Sequence, residues 1–147
     1  MVLNEDFKKD AYKKVQLKQG FLSTVPERTV RVRVKGGKGF LTIKGIGNES
    51  GTTRFEWEKE ISLMESEELL KICEPVIIEK DRYYVRASGH VFEVDVFHGE
   101  NEGLVVAEIE LIHEGEAFER PAWLGTEITG KPEYYNASLS RNPFKNW

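Results

Sequence analysis

Charged residues two positions apart recur along this chain in sets of one sign. Arg31 and Arg33 come first, in RVRV; Lys44 ends LTIK; Glu56, Glu58 and Glu60 follow in EWEKE; then come Lys80 and Arg82, Glu93 and Asp95, and Glu108 and Glu110. Residues two apart in an extended strand share a face, so each set lines one side of its strand while Val, Ile or Phe occupy the other. An antiparallel sheet with one wet face also alternates, but such a face mixes Ser, Thr, Gln and both charge signs. Cations crowded on one surface repel unless an anion sits among them, and crowded carboxylates repel unless they hold a metal. A polyphosphate bound with Mg²⁺ or Mn²⁺ answers both needs. Its oxygens accept from the planar fork of Arg and the point charge of Lys, and the carboxylates are the hard oxygen ligands that such a cation prefers.

The elements that must carry these residues read mostly as strands. VQLKQGFL, RTVRVRVK, GFLTIKG, RFEWEKEI, VIIEKDRYYVRA, HVFEVDVF and LVVAEIELI give seven. Lys35-Gly36-Gly37-Lys38 and Ser88-Gly89 join neighbouring strands as hairpin turns. Asp6 to Lys14 reads as a short helix or helical turn. Ser62 and Glu65 have capping-box spacing ahead of an apolar stripe, Leu63, Leu69, Leu70 and Cys73, that runs to Pro75. The tail from Pro121 reads as two short helical pieces, PAWLG and YYNASL. The expected architecture is α+β, mainly antiparallel β: a sheet curled into a barrel with a polar interior and its apolar alternates turned outward against helices and loops.

Composition bounds the partners. A chain of 147 residues fits one domain over 1–147. The net charge of −4 argues against a general nucleic-acid binder. No apolar run approaches a membrane span and MVLNEDFKKD has no signal-peptide core, so a cytoplasmic protein is expected. Cys73 stands alone, which excludes an internal disulfide and a cysteine-based zinc site. GGKG, Gly36 to Gly39, lacks the frame and following helix of a phosphate loop and reads as a turn. His90, His98 and His113 lack zinc-ligand spacing. Asn48-Glu49-Ser50 and Asn136-Ala137-Ser138 match a glycosylation sequon without a secretory signal.

The succession RVRV, LTIKG, RFEWEKEI, EKDRY, FEVDVF, AEIEL and EITGKPEYYNASL closely resembles the CYTH family, the triphosphate tunnel metalloenzymes, over about Gln19 to Leu139. The resemblance implies an eight-stranded antiparallel tunnel that binds a triphosphate end to end. It assigns Arg31, Arg33, Lys44, Arg54, Lys80 and Arg82 to the triphosphate, and Glu56, Glu58, Asp95, Glu108 and Glu110 to a divalent metal, Mg²⁺ or Mn²⁺. Lys80, Glu58 and Glu110 then stand closest to the chemistry, while Glu127 and Tyr134 fall in the segment that closes one mouth. The implied activity is hydrolysis of inorganic triphosphate or a related compound. An adenylate cyclase using the same ligands is the alternative, and a non-catalytic polyphosphate- or nucleotide-binding module the third reading.

Two departures stand beside the agreement. The family's opening strand, of the form ExExK, is absent; Met1-Val2-Leu3 reads as the end of such a strand, through either a start assigned too far downstream or a true truncation. Seven strands then remain open as a cradle or pair with a second chain to form a homodimer. Glu133 also stands where the family commonly places a basic residue before the Tyr.

Overall fold

The computed structural model describes residues 1–47, 54–113 and 115–147. Seven strands form one antiparallel sheet: β1 (Ala11–Ser23), β2 (Arg28–Lys35), β3 (Lys38–Gly47), β4 (Arg54–Ile61), β5 (Ile78–Ala87), β6 (His90–Phe97) and β7 (Val105–Ile109). Their order across the sheet is β4-β3-β2-β1-β5-β6-β7. Among the described residues, β4 and β7 each have one strand neighbour, so both expose an outer edge. Gly36 and Gly37 both take positive φ, 57° and 82°, in the two-residue turn between β2 and β3. That geometry matches the strand twist, and glycine adopts it without a Cβ penalty.

Register sets the faces. Arg31 lies opposite Thr42, Arg33 opposite Phe40, Thr42 opposite Glu58 and Lys44 opposite Glu56. On the other half Arg82 lies opposite Asp95 and Glu93 opposite Glu108. Gln19 and Leu17 of β1 join the halves, paired with Arg33 and Lys35 on one side and with Ile78 and Lys80 on the other. Directly opposed residues in an antiparallel pair share a face, so the described charged sets fall on one side of a single sheet. Thr42 and Gln19 are buried on that side, where the sheet curves round its own charged face.

The opposite, apolar face is covered by other elements. Phe7, Val85, Phe92, Val94 and Trp123 form one core against β5–β7. Helix α1 (Leu63–Lys71) begins with the expected capping box, in which the Ser62 hydroxyl accepts from the Glu65 backbone and the Glu65 carboxylate accepts from that of Ser62. It packs over β1–β3 at positions where the strands have no side chains. A Cβ on Gly20 would lie 2.7 Å from Ile77 and 2.8 Å from Cys73, and one on Gly39 would fall on the Ser66 hydroxyl. On the charged side, beyond Lys80, a second core of Ile78, Phe97, Leu104 and Leu139 brings the tail helix α2 (Asn136–Arg141) against the end of β5 and β6.

Three expected elements differ. The opening helical turn ends at Asp10, because Ala11 onward pairs with β5 and cross-strand hydrogen bonds outcompete a marginal short helix. PAWLG is not helical: Trp123 is a core anchor, and the segment bonds to the N-terminus through Leu3 N to Trp123 O (2.8 Å) and Gly125 N to Met1 O (3.0 Å). The last strand stops at Ile109, leaving Glu110 just past its end.

Gly39→Ala should lower stability by about 2 kcal/mol, the usual cost of overpacking, through displacement of α1. Urea unfolding followed by circular dichroism tests this; an unchanged midpoint would contradict the close packing.

Candidate functional site

The charged face divides into a balanced half and an unbalanced one. On β5 and β6, Asp95 sits between two cations: Lys80 Nζ donates to Oδ2 at 2.8 Å, Arg82 Nε to Oδ1 at 2.7 Å and an Arg82 terminal nitrogen to Oδ2 at 2.9 Å. The Lys80 and Asp95 side chains are only 4% and 5% exposed. Burial opposes ionisation of Asp95, but the Arg82 hydrogen bonds and the two positive charges outweigh it and hold its carboxyl below the usual range. Arg82 is likewise burdened by burial, yet its bonds to Asp95 raise its pKa above the ordinary guanidinium value. Lys80 shares this carboxylate with Arg82, and burial pushes its ammonium below the usual lysine range.

The other half lacks that compensation. The Nε atoms of Arg31 and Arg33 are buried and without hydrogen-bond partners. Burial, then the charge of Arg33, lowers the pKa of Arg31, and Glu58 and Glu56 only partly oppose this. Two neighbouring guanidinium groups with buried donors unfilled have the chemistry that an anion would satisfy. Lys44 reaches Glu56 at 3.8 Å, and the Thr42 hydroxyl donates to Glu58 Oε1 at 2.8 Å, orienting that carboxylate.

The acidic residues flank the cations from both sides. Glu56, Glu58 and Glu60 are exposed on β4. On the far side a cavity of about 780 Å³ is lined by Glu93, Glu108 and Glu110 among others. Among the described residues, no group of three His, Cys, Asp or Glu side chains gathers at one metal-binding point. The donor chemistry nevertheless fits a divalent cation. Glu93 and Glu108 oppose one another directly, an arrangement that costs energy between like charges, and only Glu93 has a cation beside it, Arg82 at 3.0 Å. Mg²⁺ characteristically binds one or two carboxylates and completes its shell with water and substrate phosphate.

Each sequence-predicted residue can now be placed. Arg31, Arg33, Lys44, Lys80 and Arg82 share the inner face with Glu56, Glu58, Asp95 and Glu108, while Glu110 lies just beyond β7. Arg54 begins β4, but its side chain lies outside the described residues, as does the sequon Asn48-Glu49-Ser50. Asp95, expected as a metal ligand, has both oxygens engaged by cations. Tyr134 packs against the Ile78–Leu139 core as the tail closes over the sheet end; Glu127 is exposed. Sequence reasoning missed Gln19 and Thr42 as site residues; only cross-strand register reveals them, and no local pattern encodes it. Glu93, read from alternation as the acidic partner of Asp95, stands opposite Glu108.

A curled antiparallel sheet whose inner face sets clustered cations between flanking carboxylates is the architecture of a β-tunnel class of protein. This chain belongs to the CYTH domain family, whose model matches residues 2–141. It is 45% identical over 147 residues to an inorganic triphosphatase of Acetivibrio thermocellus, an alignment spanning 99% of this chain and 93% of that protein. It is 35% identical over 130 residues to an inorganic triphosphatase of Nitrosomonas europaea, spanning 86% and 84% respectively. The crystal structure of an inorganic triphosphatase superposes with a TM-score of 0.78 at 32% identity, covering 95% of this chain and 92% of that one.

Asp95→Asn should cost about 3 kcal/mol by leaving Lys80 buried with a weakened partner. Because the folded carboxyl is depressed, its stabilising contribution is complete above the ordinary carboxylate range and is lost as pH falls through the folded value. Wild-type stability should therefore decline more steeply than that of Asp95→Asn on acidification, as measured by thermal unfolding across an acid pH series.

Proposed function

We propose that this chain hydrolyses inorganic triphosphate to diphosphate and phosphate. The observation that carries the reading is the pair of buried, unpartnered Arg31 and Arg33 Nε donors on the inner face. An extended chain of phosphates is the anion that suits a row of cations rather than a single pocket, and the named activity of the relatives agrees.

Arg31, Arg33 and Lys44 bind non-bridging oxygens along one stretch of the phosphate chain, with Arg54 on the same strand system. Lys80 and Arg82, preset by Asp95, take the next oxygens and spread the charge that develops as the terminal phosphoryl group transfers. Lys80, with its lowered proton affinity, also suits transfer of a proton to the departing diphosphate. Glu58, oriented through one oxygen by Thr42, leaves the other to accept a proton from the attacking water; Glu110 is the second carboxylate for that role. Glu108 and Glu110 with Glu93 on one flank, and Glu56 and Glu58 on the other, would hold Mg²⁺ or Mn²⁺, which supplies charge neutralisation at the phosphate oxygens. Asp95 serves the cations in this scheme and adds negative charge nearby. We infer further a cytoplasmic protein acting on small molecules, not on nucleic acid or membranes, that pairs with a second copy through its strand edges.

Phosphate release from tripolyphosphate, with and without Mg²⁺, tests the reading. Arg33→Met should reduce kcat/KM by about a hundredfold, the scale of losing one charge-stabilising donor, and Glu108→Gln should weaken the metal dependence. Cyclic AMP formed from ATP would instead indicate a cyclase, and tight binding without either product a binding module; both would overturn the proposal.

A further inference from the structure

Gln19 is 2% exposed, and its amide nitrogen is buried with no hydrogen-bond partner. It occupies the centre of the sheet's inner face, directly opposite Arg33 on β2 and opposite Ile78 on β5. Its same-face neighbours along β1, Leu17 and Phe21, are buried and apolar, and Ile78 belongs to the core beneath the tail. None of these can accept a hydrogen bond from its side chain. An unfilled buried amide donor is destabilising, so apolar packing alone would have favoured Leu or Met at this position. The adjoining Arg33 Nε is also unfilled. Two donors on directly opposed residues are thus both buried and empty.

Taking the triphosphatase reading as its basis, we propose that Gln19 is a substrate-contacting residue whose amide donates to the phosphoryl group held by Arg33. A neutral donor has a specific use here. A third cation beside Arg31 and Arg33 would add repulsion to a site where burial and Arg33 already depress Arg31, whereas an amide adds a hydrogen bond with no charge. Flanked by Leu17, Phe21 and Ile78, it also fixes where along the apolar-to-cationic boundary the phosphate chain comes to rest. Gln19 therefore sets the register of the chain relative to the carboxylates that position water.

The test compares wild type, Gln19→Met and Gln19→Glu by calorimetric titration with tripolyphosphate, steady-state hydrolysis, and thermal unfolding with and without ligand. Gln19→Met removes the donor at nearly the same length; it should weaken tripolyphosphate binding about tenfold while leaving ligand-free stability equal or higher. Gln19→Glu should place a carboxylate against Arg33, stabilise the ligand-free protein and abolish binding. A register role adds a fall in kcat beyond the change in KM. Either variant binding within twofold of wild type would overturn the inference, as would Gln19→Met failing to fold, since a structural amide is then the explanation. Wild type that binds no tripolyphosphate would sink the underlying reading instead.

Discussion

Arg31 and Arg33 lie on one face of a central strand with their Nε atoms buried and unfilled, and much of the molecule is arranged around tolerating that. Holding two guanidinium groups together in a partly dried interior is unfavourable, because each loses hydration and each opposes the other's charge. Across the same face the protein has the standard remedy, since Asp95 neutralises Lys80 and Arg82 through three short hydrogen bonds. Among the described residues no carboxylate hydrogen-bonds to the Nε of Arg31 or Arg33, and under the proposed function an external anion completes the charge balance there. The internal pair preorganises one set of ligands; the open pair provides the affinity.

That arrangement depends on the apolar side of the sheet being covered over β1–β3 and β5–β7, while Phe55 and Trp57 of β4 stay exposed. Gly20 and Gly39 remove the Cβ atoms that would keep α1 and the segment after it away from β1 and β3, so the valines of β2 bury outward and its arginines point inward. Phe7 and Trp123, meeting edge-on at 5.9 Å, do the same over the other half. An ordinary antiparallel sheet buries its apolar face against a second layer and wets the other. Here the second layer is made of helix and loops, and curvature shelters the polar face.

Much of this was legible because the period of a strand is short. RVRV, EWEKE and FEVDV declare their two faces without any tertiary information, and Gly36-Gly37 and Ser88-Gly89 mark the hairpin turns, where all four residues take positive φ. The tail was less legible. PAWLG has the look of a short helix, but its conformation is set by Trp123 entering a core built from distant strands and by backbone bonds to Met1 and Leu3. The opening turn was misread for a similar reason: Tyr12 to Lys14 become strand only because β5 offers a partner. Gln19 and Thr42 were hidden more deeply. Each looks like a routine polar residue until register sets it opposite Arg33 or Arg31, and register belongs to pairs of strands.

The order of charge across the sheet adds a final constraint. Carboxylates occupy β4, cations β3 and β2, cations again β5, and carboxylates β6 and β7, with the uncharged Gln19 and Leu17 of β1 at the centre. A curling sheet carries its outer strands toward each other, so the two acidic flanks approach as the cationic centre becomes enclosed. Without a ligand, enclosure brings like charges together at both places. A phosphate chain at the centre with divalent cations at the flanks relieves both repulsions at once, whereas either species alone relieves only one. Under the proposed function, anion and metal would thereby be coupled through the shape of the sheet: each would lower the electrostatic cost of the curvature the other needs.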